Sequence, residues 1–171
     1  LDPSFSTDGV VAVGFAFGPG AAYGLLQQPD GKLVITGTGQ NTRAGDYDIV
    51  VVRLNSDGSG DLGFGTGGIA SLSGGGFDEF GSAIVRQADG KLLVAGGSDA
   101  NRGYDFAFAR FNADGTVDTS FGSGGRLLVD FAGHDDQANA LLQQADGAIV
   151  AVGFARDAAG ISSMAAARIT A

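Results

Sequence analysis

Gln28-Pro29-Asp30-Gly31-Lys32 returns as Gln87-Ala88-Asp89-Gly90-Lys91 and again, without its lysine, as Gln144-Ala145-Asp146-Gly147-Ala148. An Asp-Gly pair between two apolar runs marks a tight hairpin in which glycine takes positive φ. The string therefore reads as one turn met three times. Two further markers keep step with it. Phe5, Phe64 and Phe121 stand 25 residues before the three Asp, and each is followed four residues later by Gly9, Gly68 or Gly125. Gly37, Gly96 and Gly153 stand seven residues after the Asp. Differences in length fall only later, between that Gly and Arg53, Arg110 or Arg168. A fixed period of this kind signals a repeat architecture. The units run about 1–58, 59–115 and 116–171 within a single repeat domain, 1–171.

Each unit reads as four short strands bounded by turn residues. In the first copy these are about Gly9–Phe17, Ala21–Gln28, Lys32–Thr38 and Asp46–Asn55. Val10-Val11-Ala12-Val13, Leu33-Val34-Ile35 and Ile49-Val50-Val51-Val52 are apolar runs without helical period, which suits strands covered on both faces. Composition agrees: 31 Gly with only 3 Pro and 44% apolar residues describe a packed chain of many tight turns. Four antiparallel strands per unit, repeated, fit the blade of a β-propeller better than a sandwich, because identical neighbours bury both faces. The expected fold class is all-β, three four-stranded antiparallel blades per chain.

Charge and missing residues narrow the function. A net charge of −9 with ten scattered Lys and Arg leaves no patch for a phosphate backbone, so no nucleic acid partner is expected. Gly9 to Pro29 is uncharged, but Gly, Pro and Gln interrupt it too often for a membrane span. The absence of Cys removes disulfides and thiolate chemistry.

The repeated strings resemble those of the delta-60 repeat family. They are Leu1-Asp2-Pro3-Ser4-Phe5, Val117-Asp118-Thr119-Ser120-Phe121-Gly122, Gln28 to Lys32, and Ala109-Arg110-Phe111-Asn112-Ala113-Asp114-Gly115. The resemblance covers essentially the whole chain. Asp61-Leu62-Gly63-Phe64 breaks the opening of the second copy, and after Ile161 only Ala167-Arg168 of the closing string is kept. It implies propeller blades of bacterial, exported or cell-surface proteins, with no reaction attached to the repeat.

Arg53 to Phe64 and Arg110 to Phe121 span 11 residues, whereas joining Ala171 to Leu1 would place Phe5 only 8 after Arg168. The chain ends thus fall inside a hairpin. Propellers close with about four to eight blades, so the expected assembly is a homodimer forming a six-bladed ring, with residues 1–5 completing a last blade.

Several strings invite a functional reading. Asn55/Asp57/Asp61 and Asn112/Asp114/Asp118 have the oxygen spacing of a calcium loop, but Arg53 and Arg110 stand where such loops place their first Asp, so a turn braced by an Arg–Asp pair is the expectation and no metal is assigned. Gly63-Phe64-Gly65-Thr66-Gly67-Gly68 satisfies a dinucleotide string without the strand and helix it requires, so no cofactor is expected. Asp78, Glu79, Asp135 and Asp136 could act as paired acids of a hydrolase, but adjacent residues in a loop seldom face one cleft, and solvated loop charge is the commoner meaning of such pairs. His134 is the sole histidine and has no partner for catalysis. The variable loops offer Arg43, Tyr47, Arg102, Tyr104 and Arg156 on one rim, where loops on a rigid scaffold carry specificity. The expected function is a non-catalytic binding or interaction scaffold with no catalytic residue. A glycan-binding propeller, a hydrolase and a purely structural repeat of a larger surface protein are the alternatives, with a glycan or protein as ligand.

Overall fold

A computed structural model describes residues 1–40, 45–100, 103–131 and 133–170. Eleven strands form three antiparallel sheets among these residues. The first contains β1 (Gly20–Gln27), β2 (Leu33–Gly39), β3 (Asp48–Leu54) and β4 (Ile69–Leu72), in that order. The second repeats the plan with β5 (Glu79–Arg86), β6 (Leu92–Ser98), β7 (Asp105–Phe111) and β8 (Arg126–Val129). The third has β9 (Asp136–Gln143), β10 (Ile149–Arg156) and β11 (Ser162–Ile169), with β11 at its edge. No helix among the described residues is long and apolar enough to cross a membrane.

Two expectations need correction. The strand predicted over Gly9–Phe17 does not open the first sheet, and residues 10–14 form no strand. Its counterparts in the other copies, β4 and β8, pair instead with β3 and β7, the last strands of the preceding copy. A sheet is therefore three strands of one unit plus the first strand of the next, because the turn after Arg53 or Arg110 returns the chain along the strand it has just left. For the same reason the third sheet has three strands rather than four. The three sheets of one chain do not close a ring.

Each Asp-Gly turn closes with its glycine at positive φ, as at Gly31 (φ 85°), where the Gly31 N–H donates to the Gln28 carbonyl at 2.9 Å. The recurring Gly37, Gly96 and Gly153 answer a different demand. One residue of the first strand of each sheet, Tyr23, Ser82 or Asn139, is skipped by the pairing and forms a β-bulge. The bulge drives the neighbouring carbonyl towards the facing strand. A Cβ on Gly37, Gly96 or Gly153 would lie 1.9, 1.8 or 1.8 Å from the carbonyl oxygen of Ala21, Phe80 or Gln137.

Two apolar seams join the sheets. Val34, Ile49 and Val51 of the first meet Leu92, Val94 and Ala107 of the second. The second sheet's other face, with Leu93, Ala95, Phe106 and Phe108, meets Ile149 and Ala151 of the third. Alternate residues of β6 thus serve opposite seams, which is why its burial shows no period of two.

Replacing Gly96 with Ala should remove about 2 kcal/mol or more of stability, since the new methyl group meets backbone rather than a movable side chain. Urea unfolding would measure it, with Gly124→Ala unsuitable as a control because its φ is positive and Gly60→Ala, where space is open, suitable.

Candidate functional site

The rim formed by the β2–β3, β6–β7 and β10–β11 connections carries a groove of about 380 Å³ between the first two sheets. Tyr23, Tyr47, Phe80 and Tyr104 line it together with Asp78. Tyr23 and Phe80 meet edge to face with centroids 6.5 Å apart, and Phe80 and Tyr104 are tilted at 5.4 Å. Gly97 makes room beneath them, because a Cβ there would be 2.6 Å from the Phe80 ring. Tyr23 is more than half exposed.

Backbone ties fix this groove. Asp78 accepts from the Tyr47 N–H at 2.9 Å, while its own N–H donates to the Asp99 carboxylate at 2.8 Å. The Thr38 hydroxyl donates to the Glu79 carbonyl at 2.9 Å. Partial burial raises the Tyr104 hydroxyl above its usual pKa, helped by the carboxylates of Asp99, Asp78 and Asp135. The floor is therefore aromatic and the collar acidic.

Of the five residues predicted for the rim, the structure brings Tyr47 and Tyr104 together. Arg156 stands at the next junction, bound to Asp135 at 3.1 Å. Arg43 and Arg102 lie outside the described residues. Tyr23 and Phe80 were not singled out from sequence. Because all three copies carry the same bulge, their equal spacing leaves no sign of it in the sequence.

The paired carboxylates split by role. Asp78 and Asp135 both cap a backbone N–H, of Tyr47 and of Tyr104. Glu79 and Asp136 are fully buried. Arg126 donates to Glu79, as does the Ser98 hydroxyl at 3.2 Å. Burial still leaves the Glu79 carboxyl above the usual range, against the pull of Arg126, and burial likewise raises Asp48. Carboxylate oxygens of Asp105, Asp130 and Asp136 lie within 4.8 Å of one another, and Asp136 already accepts from the N–H groups of Phe131 and Arg156. His134 is exposed.

On the opposite rim the two calcium-like strings form braced turns. Asp61 accepts from Arg53 Nε and Lys32 Nζ, both at 2.7 Å. Asp118 accepts from Arg110 Nε at 2.7 Å and Lys91 Nζ at 2.9 Å. Each guanidinium also lies over a Phe ring, Arg53 4.4 Å from the centroid of Phe64 and Arg110 4.6 Å from that of Phe121. Gly63 to Gly68 is the turn leading into β4, with Phe64 fully buried. A larger hollow, about 510 Å³, lies on this rim between the second and third sheets. Its Lys91, Arg110 and Arg168 are already paired with Asp118 or Asp146, so the aromatic groove is the better ligand site.

Residues 28–64 and 87–121 match the family model described as a domain of unknown function (DUF5122) beta-propeller. Both stretches run from the Gln of the hairpin to the Phe of the next unit. No curated protein matches the chain.

Lys32 lowers the Asp61 carboxyl to about 2, with Arg53 and the Gly63 N–H contributing, while Lys91 and Ser120 lower Asp118 further. Both folded values lie below the unfolded value of about 3.9. Their stabilisation is thus complete above about pH 4 and lost as the pH falls through about 2. Protonation of Asp48 and Glu79, whose values are raised, works the other way. Stability should drop steeply only below about pH 4, and Asp61→Asn should flatten that drop while removing about 1.5–3 kcal/mol at pH 7. Chelator should leave the melting temperature unchanged. The matched stretches, less than half of the chain, are similar to β-propeller repeats of a domain of unknown function, and the sheets they run through are all antiparallel β.

Proposed function

We propose that the chain is a non-catalytic binding scaffold, half of a six-bladed ring completed by a second copy, which takes its ligand on the aromatic groove. The observation that supports this reading is the convergence of Tyr23, Tyr47, Phe80 and Tyr104 from both sheets over a pocket of about 380 Å³. Tyr23 and Phe80 stand on strands and Tyr47 and Tyr104 immediately before strands, and aromatic faces held in this way bind with little loss of side-chain freedom. The acidic groups nearest them hold backbone, which favours a structural role for Asp78 and Asp135 over a hydrolytic one. Arg156, and with it Arg43 and Arg102, would supply polar contacts at the neighbouring rim positions.

A glycan is the second reading, and the groove itself favours it. Sugar faces stack on aromatic rings, and the Asp78 and Asp99 carboxylates accept from hydroxyl groups. The delta-60 resemblance supports an exported or cell-surface setting in a bacterium.

A broad glycan array followed by titration of any hit tests both readings. Tyr104→Ala should weaken binding about tenfold, in line with the loss of one stacked ring, and Tyr23→Ala should weaken it comparably without loss of fold. Binding unchanged in both variants would remove the groove. No binding to glycans or to proteins from the outer surface of the source cell would leave a purely structural repeat.

A further inference from the structure

We infer that two copies of this chain join by adding residues 10–13 of each to the free edge of β11 in the other; this rests on the six-bladed reading above. The register follows from the other two sheets. β4 pairs Ile69 with Val52 and Leu72 with Ile49, and β8 pairs Arg126 with Ala109 and Val129 with Phe106. Counted from Phe5 and Arg168, the same register sets Val10 opposite Ala167 and Val13 opposite Met164 of the partner subunit.

The segment ahead of Val10 already sits as its counterparts do. The Ser6 N–H donates to the Asp57 carbonyl at 2.7 Å, and the Gly65 N–H donates to the Asp114 carbonyl at 2.7 Å. The Phe5 ring lies against Gly58, as the Phe64 ring lies against Gly115. Gly9 N–H to Phe5 carbonyl matches Gly68 to Phe64 and Gly125 to Phe121. Even the positive φ recurs, 50° at Ser6 against 54° at Gly65 and Gly122. A serine holds there a conformation that glycine holds elsewhere. Residues 1–9 are thus docked on the first sheet as the end of a preceding sheet, and the strand that follows is offered to that sheet. Val11 and Val13 already line a cavity over the first sheet's outer face, together with Val50 and Val52, which are buried.

The third sheet carries the complement. Its outer face is apolar and open, with Leu142 53%, Val152 45% and Met164 99% exposed. Arg168 occupies the place of Arg53 and Arg110 but bonds Asp146 on the surface. Asp2 occupies the place of Asp61 and Asp118, three residues before Phe. Its Oδ1 accepts from the N–H and hydroxyl of Ser4, as Asp118 Oδ1 accepts from those of Ser120. In Asp118 the second oxygen, Oδ2, receives the arginine. Asp2 Oδ2 is the matching acceptor for Arg168 of the partner subunit, and Phe5 the matching ring beneath it. One strand, one ion pair and one stacked ring therefore complete the junction. Two such junctions close six sheets.

Light scattering of the 171-residue chain is expected to give twice 17.0 kDa. Val11→Pro with Val13→Pro should produce a folded monomer, since this segment belongs to no strand of its own chain and proline removes ladder donors. Asp2→Arg and Arg168→Asp should each raise the dimer dissociation constant about tenfold or more, and the double variant should recover most of that loss, as a directly coupled pair does. A monomer at 17.0 kDa overturns the inference. So does a dimer indifferent to the proline variant, or charge reversals whose effects simply add. The aromatic groove lies within one chain, so its binding test can fail or succeed independently of this one.

Discussion

A sheet with two apolar faces has to be covered twice, and every level of this structure follows from that requirement. Val34 and Leu93 look forward to the next sheet, while Leu92 and Val94 look back to the previous one. Burial of each such side chain is worth about 1.5–3 kcal/mol, so a lone unit, bare on both sides, has little to hold it together. Stacking supplies the cover, and each added sheet exposes a new face that needs the next. The middle sheet is covered on both sides, the first has residues 11–15 over its outer face, and the outer face of the third is open.

The forward joints explain why the sheets stack at a fixed offset rather than slide. Arg53 lies over Phe64, pairs with Asp61 and donates at 2.7 Å to the carbonyl of Ala113, in the turn that follows β7 of the next sheet. Apolar contact alone is indifferent to direction, whereas a guanidinium has donors fixed in a plane and a face for stacking. One side chain therefore sets the position of a turn, a ring and a neighbouring sheet at once. Arg110 repeats the pairing with Asp118 and Phe121.

Much of this was legible because the recurring residues each meet a steric or electrostatic demand. Asp30-Gly31 is a turn, Gly37 a close approach, and Arg53 with Asp61 a brace. Strand partnership was less legible. Val10 to Val13 reads as a strand from its residues, but nothing local tells a strand which neighbour it joins, and the fourth strand belongs to the sheet behind it. The site was half legible. Tyr47 and Tyr104 stand in loops whose variability draws attention, while Tyr23 and Phe80 sit in strands where an aromatic residue looks like core. Tyr23 is the residue that the bulge skips, and a bulge shared by every copy leaves no difference in spacing to be seen. Asp48 and Glu79 belong to the same class of hidden feature, since burial rather than motif makes them unusual.

The bulge also separates two roles that a regular strand would couple. Tyr23, Ser82 and Asn139 occupy one structural position in three copies of the unit, yet they share neither size, polarity nor aromaticity. Skipped by the ladder, such a residue contributes little to pairing and is held only by the glycine opposite its neighbour. It behaves as an interchangeable tool on a fixed handle: the chemistry displayed at each blade can be rewritten one side chain at a time, and the architecture beneath does not register the change.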